Sequence, residues 1–273
     1  FPCNAVLRRA GDDDTMDSAR AYYRAVVGER TPRTLQDAFL DTGAKLVDYL
    51  EQDAHFGFEI LPWPDYYGKA PHASATGRHI IPAVIETARL GPLADVLRPT
   101  LAVERRGQER EAELAGGQAL IGRFLLALTE MENATLLRSS ALESLVREGD
   151  RVTGAEVKTP EGRIHIGARR GVILAAGGFE RNAQMRTANH VPGDVSGSMA
   201  PPGNTGGAIA AGIAIGADAD LMDQAWWSPG LMQPDGSATF TLGFSGGIFV
   251  DNGGQRFMDE SVAYDRAGRR IIE

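Results

Sequence analysis

Val172-Ile173-Leu174-Ala175-Ala176-Gly177-Gly178-Phe179 is an apolar run that closes on four residues with almost no side chain. Its apolar first half suits a strand covered on both faces, as the central strands of parallel sheets are. Ala175, Ala176, Gly177 and Gly178 then leave the main chain bare, so that a ligand can rest directly on the backbone. A tight strand-to-loop turn that binds nothing is the competing reading of the same residues.

Working outward, residues 205–216 are rich in Ala and Gly and read as a closely packed helix. A strand is expected over 246–250, turned at Asn252-Gly253-Gly254. Upstream of the central run lie short β-like stretches at 135–137, 142–146, 152–157 and 163–166. Turns at Gly149-Asp150 and Pro160-Glu161-Gly162 separate them, which predicts a small antiparallel meander. Gly116-Gly117 precedes a helix carrying Ala119, Leu120, Phe124 and Leu125. Residues 12–98 read as mainly helical, with N-cap candidates at Asp12–Thr15 and a capping box at Thr34–Asp37. The loop Leu61-Pro62-Trp63-Pro64-Asp65-Tyr66 interrupts them, its prolines fixing an extended backbone. The charged stretch 92–113 reads as a solvated helix or excursion.

Composition narrows the classes of function. The 273 residues are 43% hydrophobic and 23% charged, as in an ordinary globular protein. Glycine is high, at 33 residues, and most of it falls after residue 150. A net charge of −8 argues against nucleic acid as a partner. A lone cysteine, Cys3, excludes an internal disulfide framework and fits a reducing cytoplasm. No apolar run reaches the roughly 18 residues a membrane span requires, and no basic-then-apolar opening marks a signal peptide. The five histidines form no metal-binding spacing, and no hydrolase serine elbow or phosphate-cradling lysine loop is present.

Two tyrosines stand out by context. Tyr66 lies on the proline-braced loop, and Tyr264 follows Arg256-Phe257-Met258-Asp259-Glu260. A tyrosine serves as a general base or acid once neighbours stabilise its phenolate, since its ordinary pKa is near 10. By residue type alone, each reads first as a core or interface tyrosine. Trp226-Trp227 is likewise either an apolar wall or plain core.

Taken in order, several strings resemble one family. They are Phe1-Pro2-Cys3-Asn4-Ala5-Val6-Leu7, Trp63-Pro64-Asp65-Tyr66, residues 116–123, Leu174–Phe179, residues 221–229, Gly247–Asp251, Arg256-Phe257 and Tyr264-Asp265. Together they resemble the flavin-dependent 3-ketosteroid Δ1-dehydrogenases, within the broader fumarate-reductase-like flavoproteins. The resemblance implies an α/β (α+β) fold. Residues 1–225 would form part of a split, Rossmann-like FAD-binding domain with its antiparallel meander, and 226–273 the start of an inserted catalytic domain. Family members carry a G-x-G-x-x-G segment upstream and a returning segment downstream, so the chain is expected to be an internal piece.

The activity implied is desaturation of a 3-ketosteroid between carbons 1 and 2, with a proton leaving carbon 2 and hydride passing from carbon 1 to flavin N5. By motif position Tyr264 is the base and Tyr66 its hydrogen-bonding support. Ala175, Ala176, Gly177, Gly178, Asn4 and Leu142 contact FAD. Trp226, Trp227 and Phe249 wall the steroid. The implied partners are a 3-ketosteroid and an external electron acceptor. Alternatives are a ketosteroid Δ4-dehydrogenase, a fumarate-reductase-like enzyme on a small dicarboxylate, or a non-catalytic module without flavin.

Overall fold

Asn4 opens the fold. Its side-chain oxygen accepts the amides of Val6 (2.9 Å) and Leu7 (3.2 Å) and so caps α1 (Ala5–Arg9). The computed structural model describes residues 1–240 and 247–273, which fall into two compact units, Phe1–Leu136 and Leu137–Glu273.

In the first unit Thr15 accepts the Ser18 amide and caps α2 (Met16–Val27), within the acidic run expected to start a helix. Helix α3 (Arg33–Leu50) begins directly after Pro32, which corrects the Thr34–Asp37 capping box. Thr34 lies inside the helix, and Gln36, 1% exposed, sends its amide to the carbonyls of Gly28 (2.9 Å) and Thr31 (2.8 Å). The incoming turn is thus closed from within the helix rather than by a cap.

The helical reading of 12–98 holds to Leu50 and, beyond it, only over the 3₁₀ segment Thr87–Val96. Elsewhere β1 (Phe58–Leu61) pairs antiparallel with β2 (His79–Pro82), and β3 (Ile85–Glu86) with β4 (Glu113–Leu114). Strands of two to four residues are shorter than any window in which periodicity can be read, and their pairing is set by the tertiary fold. The charged stretch 92–113 divides among a 3₁₀ segment (Thr87–Val96), α4 (Leu101–Arg106) and β4. Helix α5 (Gly116–Thr129), expected after Gly116-Gly117, buries Ala119 and Leu125 against Ile85, Leu90, Leu97 and Leu114. Arg123 on the same helix is also buried. It is satisfied by the carbonyls of His55, Ala83 and Val84, as a buried guanidinium must be.

In the second unit the meander forms as expected. β5 (Ala141–Glu148), β6 (Arg151–Thr159) and β7 (Gly162–Gly167) follow one another with β6 in the middle, while 135–137 contributes no strand. Helix α6 (Ala183–Ala188) is capped by Asn182, and α7 (Gly207–Ala214) packs on β5. β8 (Gly230–Met232) and β9 (Ala238–Phe240) make a hairpin, and α8 (Tyr264–Ile272) closes the unit.

Two further strand expectations are corrected. Residues 172–179 are extended but belong to no ladder, because no strand among the described residues lies alongside them, and Ile173 is left 93% exposed. Of 246–250, Gly246 lies outside the described residues, and the rest contributes only a bridge from Val250 to Arg256. The turn at 252–254 does form, with the Asp251 carboxylate accepting the amides of Gly253 and Gln255. The mixed helix-and-sheet class holds. Among the described residues no helix is long and apolar enough to cross a membrane.

Candidate active site

In the first unit the loop that carries Tyr66 is anchored by charge. Asp65, buried beside it, accepts hydrogen bonds from the Ser74 amide (2.8 Å) and from Arg78. The Arg78 guanidinium also pairs with Asp14 through both Nε and Nη2 (3.0 Å for the latter) and lies over the Tyr22 ring at 5.5 Å. Burial alone would raise the Asp14 pKa, but the hydrogen bonds and charge of Arg78 outweigh it and hold the carboxyl below its usual range. Tyr22 in turn accepts the Tyr67 amide (3.0 Å). Gly77 completes the lock, since a Cβ at its left-handed φ of +75° would collide with the Trp63 carbonyl. Tyr66 sits half-buried in this braced loop, edge-on to Tyr67 with ring centroids 4.9 Å apart.

In the second unit Tyr264 is the first residue of α8. Its ring stacks on Trp226, with centroids 5.8 Å apart and planes 17° apart, and meets Phe240 edge-on at 5.4 Å. The approach to this cluster is held by Glu260, whose carboxylate accepts the Phe249 amide (2.8 Å) and pairs with Arg256. The Arg256 hydrogen bond, then the Phe249 amide, keep the Glu260 pKa low. Glu260 is therefore a structural clamp between the Phe249 backbone and Arg256. Trp226 is 74% exposed even with its indole stacked on Tyr264, while Trp227 is half-buried with its Cβ against Gly268.

The expected cofactor contacts fall in both units. Ala175, Ala176 and Gly177 are exposed, and their amides find no acceptor among the described residues. Gly177 has φ +76°, and a Cβ there would lie 2.9 Å from the Asn204 side chain. Gly178 faces the Glu180 carboxylate, which would be 3.0 Å from an added Cβ. This bare, crowded backbone with free donors fits a flat ligand that rests on main chain, as FAD would. Leu142 lies on β5, the edge strand of the meander, beside a register shift that leaves local backbone groups unpaired. Asn4 is fully buried, with its side chain engaged in capping α1.

Sequence reasoning missed Arg78, Asp14, Phe240, Asn204 and Gly268. Arg78 lies 64 and 13 positions from its two carboxylates, so no local pattern pointed to it. Asp65 stood in the quoted loop, and its place between two prolines' reach and a tyrosine was the one available signal.

Residues 3–273 match the family described as FAD binding domain. The 3-oxosteroid 1-dehydrogenase of Mycolicibacterium smegmatis is 32% identical, over 98% of this chain and 54% of that protein. The 3-oxosteroid 1-dehydrogenase of Rhodococcus opacus is 37% identical, over 75% of this chain and 40% of that protein. The fold is similar to the crystal structure of 3-ketosteroid Δ1-dehydrogenase from Sterolibacterium denitrificans in complex with 1,4-androstadiene-3,17-dione. The TM-score is 0.86 at 29% identity, covering 99% of this chain and 57% of that one. The chain spans about half the length of the curated relatives it matches.

Proposed function

The chain belongs to the FAD binding domain family, and on that premise we propose that the protein is a flavin-dependent dehydrogenase that desaturates 3-ketosteroids between carbons 1 and 2. The observation that carries this reading is the fixed Tyr264 ring, held between Trp226 and Phe240 at the head of α8. Similarity to 3-oxosteroid 1-dehydrogenases along nearly the whole chain supports it.

A ketone at carbon 3 acidifies the hydrogens on carbon 2, because the charge left by proton loss spreads onto the ketone oxygen. Tyr264 takes that proton as general base. A phenol with an ordinary pKa near 10 needs support to act as its phenolate, and Tyr66, on its charge-anchored loop, is assigned that role. FAD, when bound, accepts the hydride from carbon 1, chemistry outside the reach of side chains. The bare backbone of Ala175–Gly178 would hold it, with Leu142 and Asn4 as further contacts.

Trp226, Trp227 and Phe249 wall the substrate. Aromatic faces suit a rigid hydrocarbon skeleton, whereas a dicarboxylate would need converging cations. Residues 1–225 then act as part of the flavin domain and 226–273 as the start of the catalytic domain. The partner that would take the electrons from a bound FAD is an external acceptor, and the setting proposed is a reducing cytoplasm.

The test is incubation with 4-androstene-3,17-dione and, separately, with its 5α-reduced counterpart, each with an artificial electron acceptor, followed by mass and NMR analysis of the steroid. A product two hydrogens lighter with a new 1,2 double bond supports the proposal. Desaturation of a 5α-reduced ketosteroid at carbons 4 and 5 instead would move the protein to the Δ4 class. No steroid turnover would contradict both.

A further inference from the structure

Helix α8 rests on the segment before β8 at three points. Tyr264 stacks on Trp226, and Arg269 donates to the Ala225 carbonyl at 3.4 Å. Between them lies Gly268, which is buried. A Cβ there would be 2.6 Å from the Trp227 Cβ, 2.9 Å from the Ser228 amide nitrogen and 3.0 Å from the Trp227 carbonyl carbon. Tyr264 and Gly268 are four residues apart, so they share one face of the helix, one turn from each other.

Glycine in a helix interior costs about 1 kcal/mol relative to alanine. No left-handed φ demands it here; only the close approach of the Trp227-Ser228 backbone does. We infer that Gly268 is a positioning residue for the reaction. Its bare surface lets α8 lie directly on that backbone, and this sets where the Tyr264 phenol stands against Trp226. The inference rests on reading Tyr264 as the base. A methyl group at 268 needs about 1 Å more separation to reach ordinary carbon–carbon contact. The shift would be passed along a rigid helix to Tyr264, one turn away. Misplacement of that size can cost about 10²-fold in rate.

The experiment compares Gly268→Ala with wild type in the full chain. It measures steroid-dependent dye reduction and, independently of turnover, the near-ultraviolet circular dichroism of the Tyr264–Trp226 pair, defined as the signal lost in Tyr264→Ala. Gly268→Ala is expected to lower kcat about 100-fold, with KM changed by less than about threefold, and to diminish the dichroism of the pair. Added to Tyr264→Phe it should cost less than about twofold more, because it acts through the same phenol. Ala267→Gly, its buried neighbour, serves as the control and should leave kcat within about threefold.

Where Gly268→Ala fails to fold, it is made on a Trp227→Gly background, which removes the nearest clashing atom but leaves the Ser228 amide nitrogen and the Trp227 carbonyl carbon against the new methyl group. There it should still lower kcat by more than about tenfold relative to Trp227→Gly alone, and an unchanged kcat on that background overturns the inference. Wild-type kcat in Gly268→Ala, or an equal further loss on the Tyr264→Phe background, also overturns it. Full turnover by Tyr264→Phe would instead sink the assignment of the base, while the dichroism still reports the packing.

Discussion

The phenol ring of Tyr264 lies nearly parallel to the indole of Trp226, 17° apart in plane and 5.8 Å from centroid to centroid. Such an offset pair contributes about 0.5–1.5 kcal/mol beyond the area it buries, enough to hold one ring orientation in preference to others. Phe240 meets the ring from the side at 5.4 Å and narrows its freedom further. A base that must reach one particular proton gains from being held in this way.

Tyr264→Phe keeps the stack and removes only the oxygen. Turnover of a 3-ketosteroid is therefore expected to fall by about 10²–10⁴-fold, with flavin content and melting temperature unchanged. Steady-state kinetics beside a flavin-to-protein ratio check it. Undiminished turnover would remove Tyr264 from the chemistry.

Gly177→Ala places a methyl group on a backbone at φ +76°, 2.9 Å from Asn204. A left-handed conformation costs a non-glycine residue about 1–2 kcal/mol, and the Asn204 side chain must also give way. Flavin retained after gel filtration should fall to less than half the wild-type ratio. Full stoichiometry would count against the Ala175–Gly178 backbone as a cofactor contact.

Arg78→Met leaves the buried Asp65 and the partly buried Asp14 without their shared cation. Breaking a buried ion pair costs about 3–5 kcal/mol. By differential scanning calorimetry the melting temperature should drop by roughly 6–20 °C. Arg8→Ala, which removes an exposed pair with Asp48, should cost no more than about 1 kcal/mol. Similar losses in both variants would mean that the Asp14–Arg78–Asp65 network anchors nothing.

The pH dependence of that network has a definite sign. The Asp14 carboxyl is held below its unfolded value of about 3.9, so its contribution to stability is fully present above that value. As pH falls through the lowered folded value the contribution is lost. In denaturant titrations, the stability gap between wild type and Arg78→Met should therefore narrow from pH 6 to pH 3. A gap that widens on acidification would reverse the assignment.

Elements set by local chemistry were legible in the sequence. Thr15 caps α2, Gly149-Asp150 turns the meander, and the apolar face of α5 shows at helical spacing, each within a dozen residues. Elements set by a distant partner were not. β1 and β2 exist because Phe58 meets Pro82 and Leu61 meets His79, across a gap that no periodicity spans. Residues 172–175 have the composition of a buried strand but no neighbouring strand among the described residues, and composition cannot supply one. Of the candidate site residues, Tyr66, Tyr264 and Ala175–Gly178 stood out through the strings around them. Their supports did not, because Arg78 and Gly268 act through long-range contacts that a single sequence leaves silent.

The most direct test of the central claim is the visible absorption spectrum of the purified protein, recorded without oxygen before and after 4-androstene-3,17-dione is added. The account predicts the absorption of an oxidised flavin at the start and its bleaching by the steroid, with the colour returning when an electron acceptor is supplied. A flavin spectrum that the steroid leaves unchanged would contradict the assigned substrate, and a colourless protein would contradict the assigned cofactor.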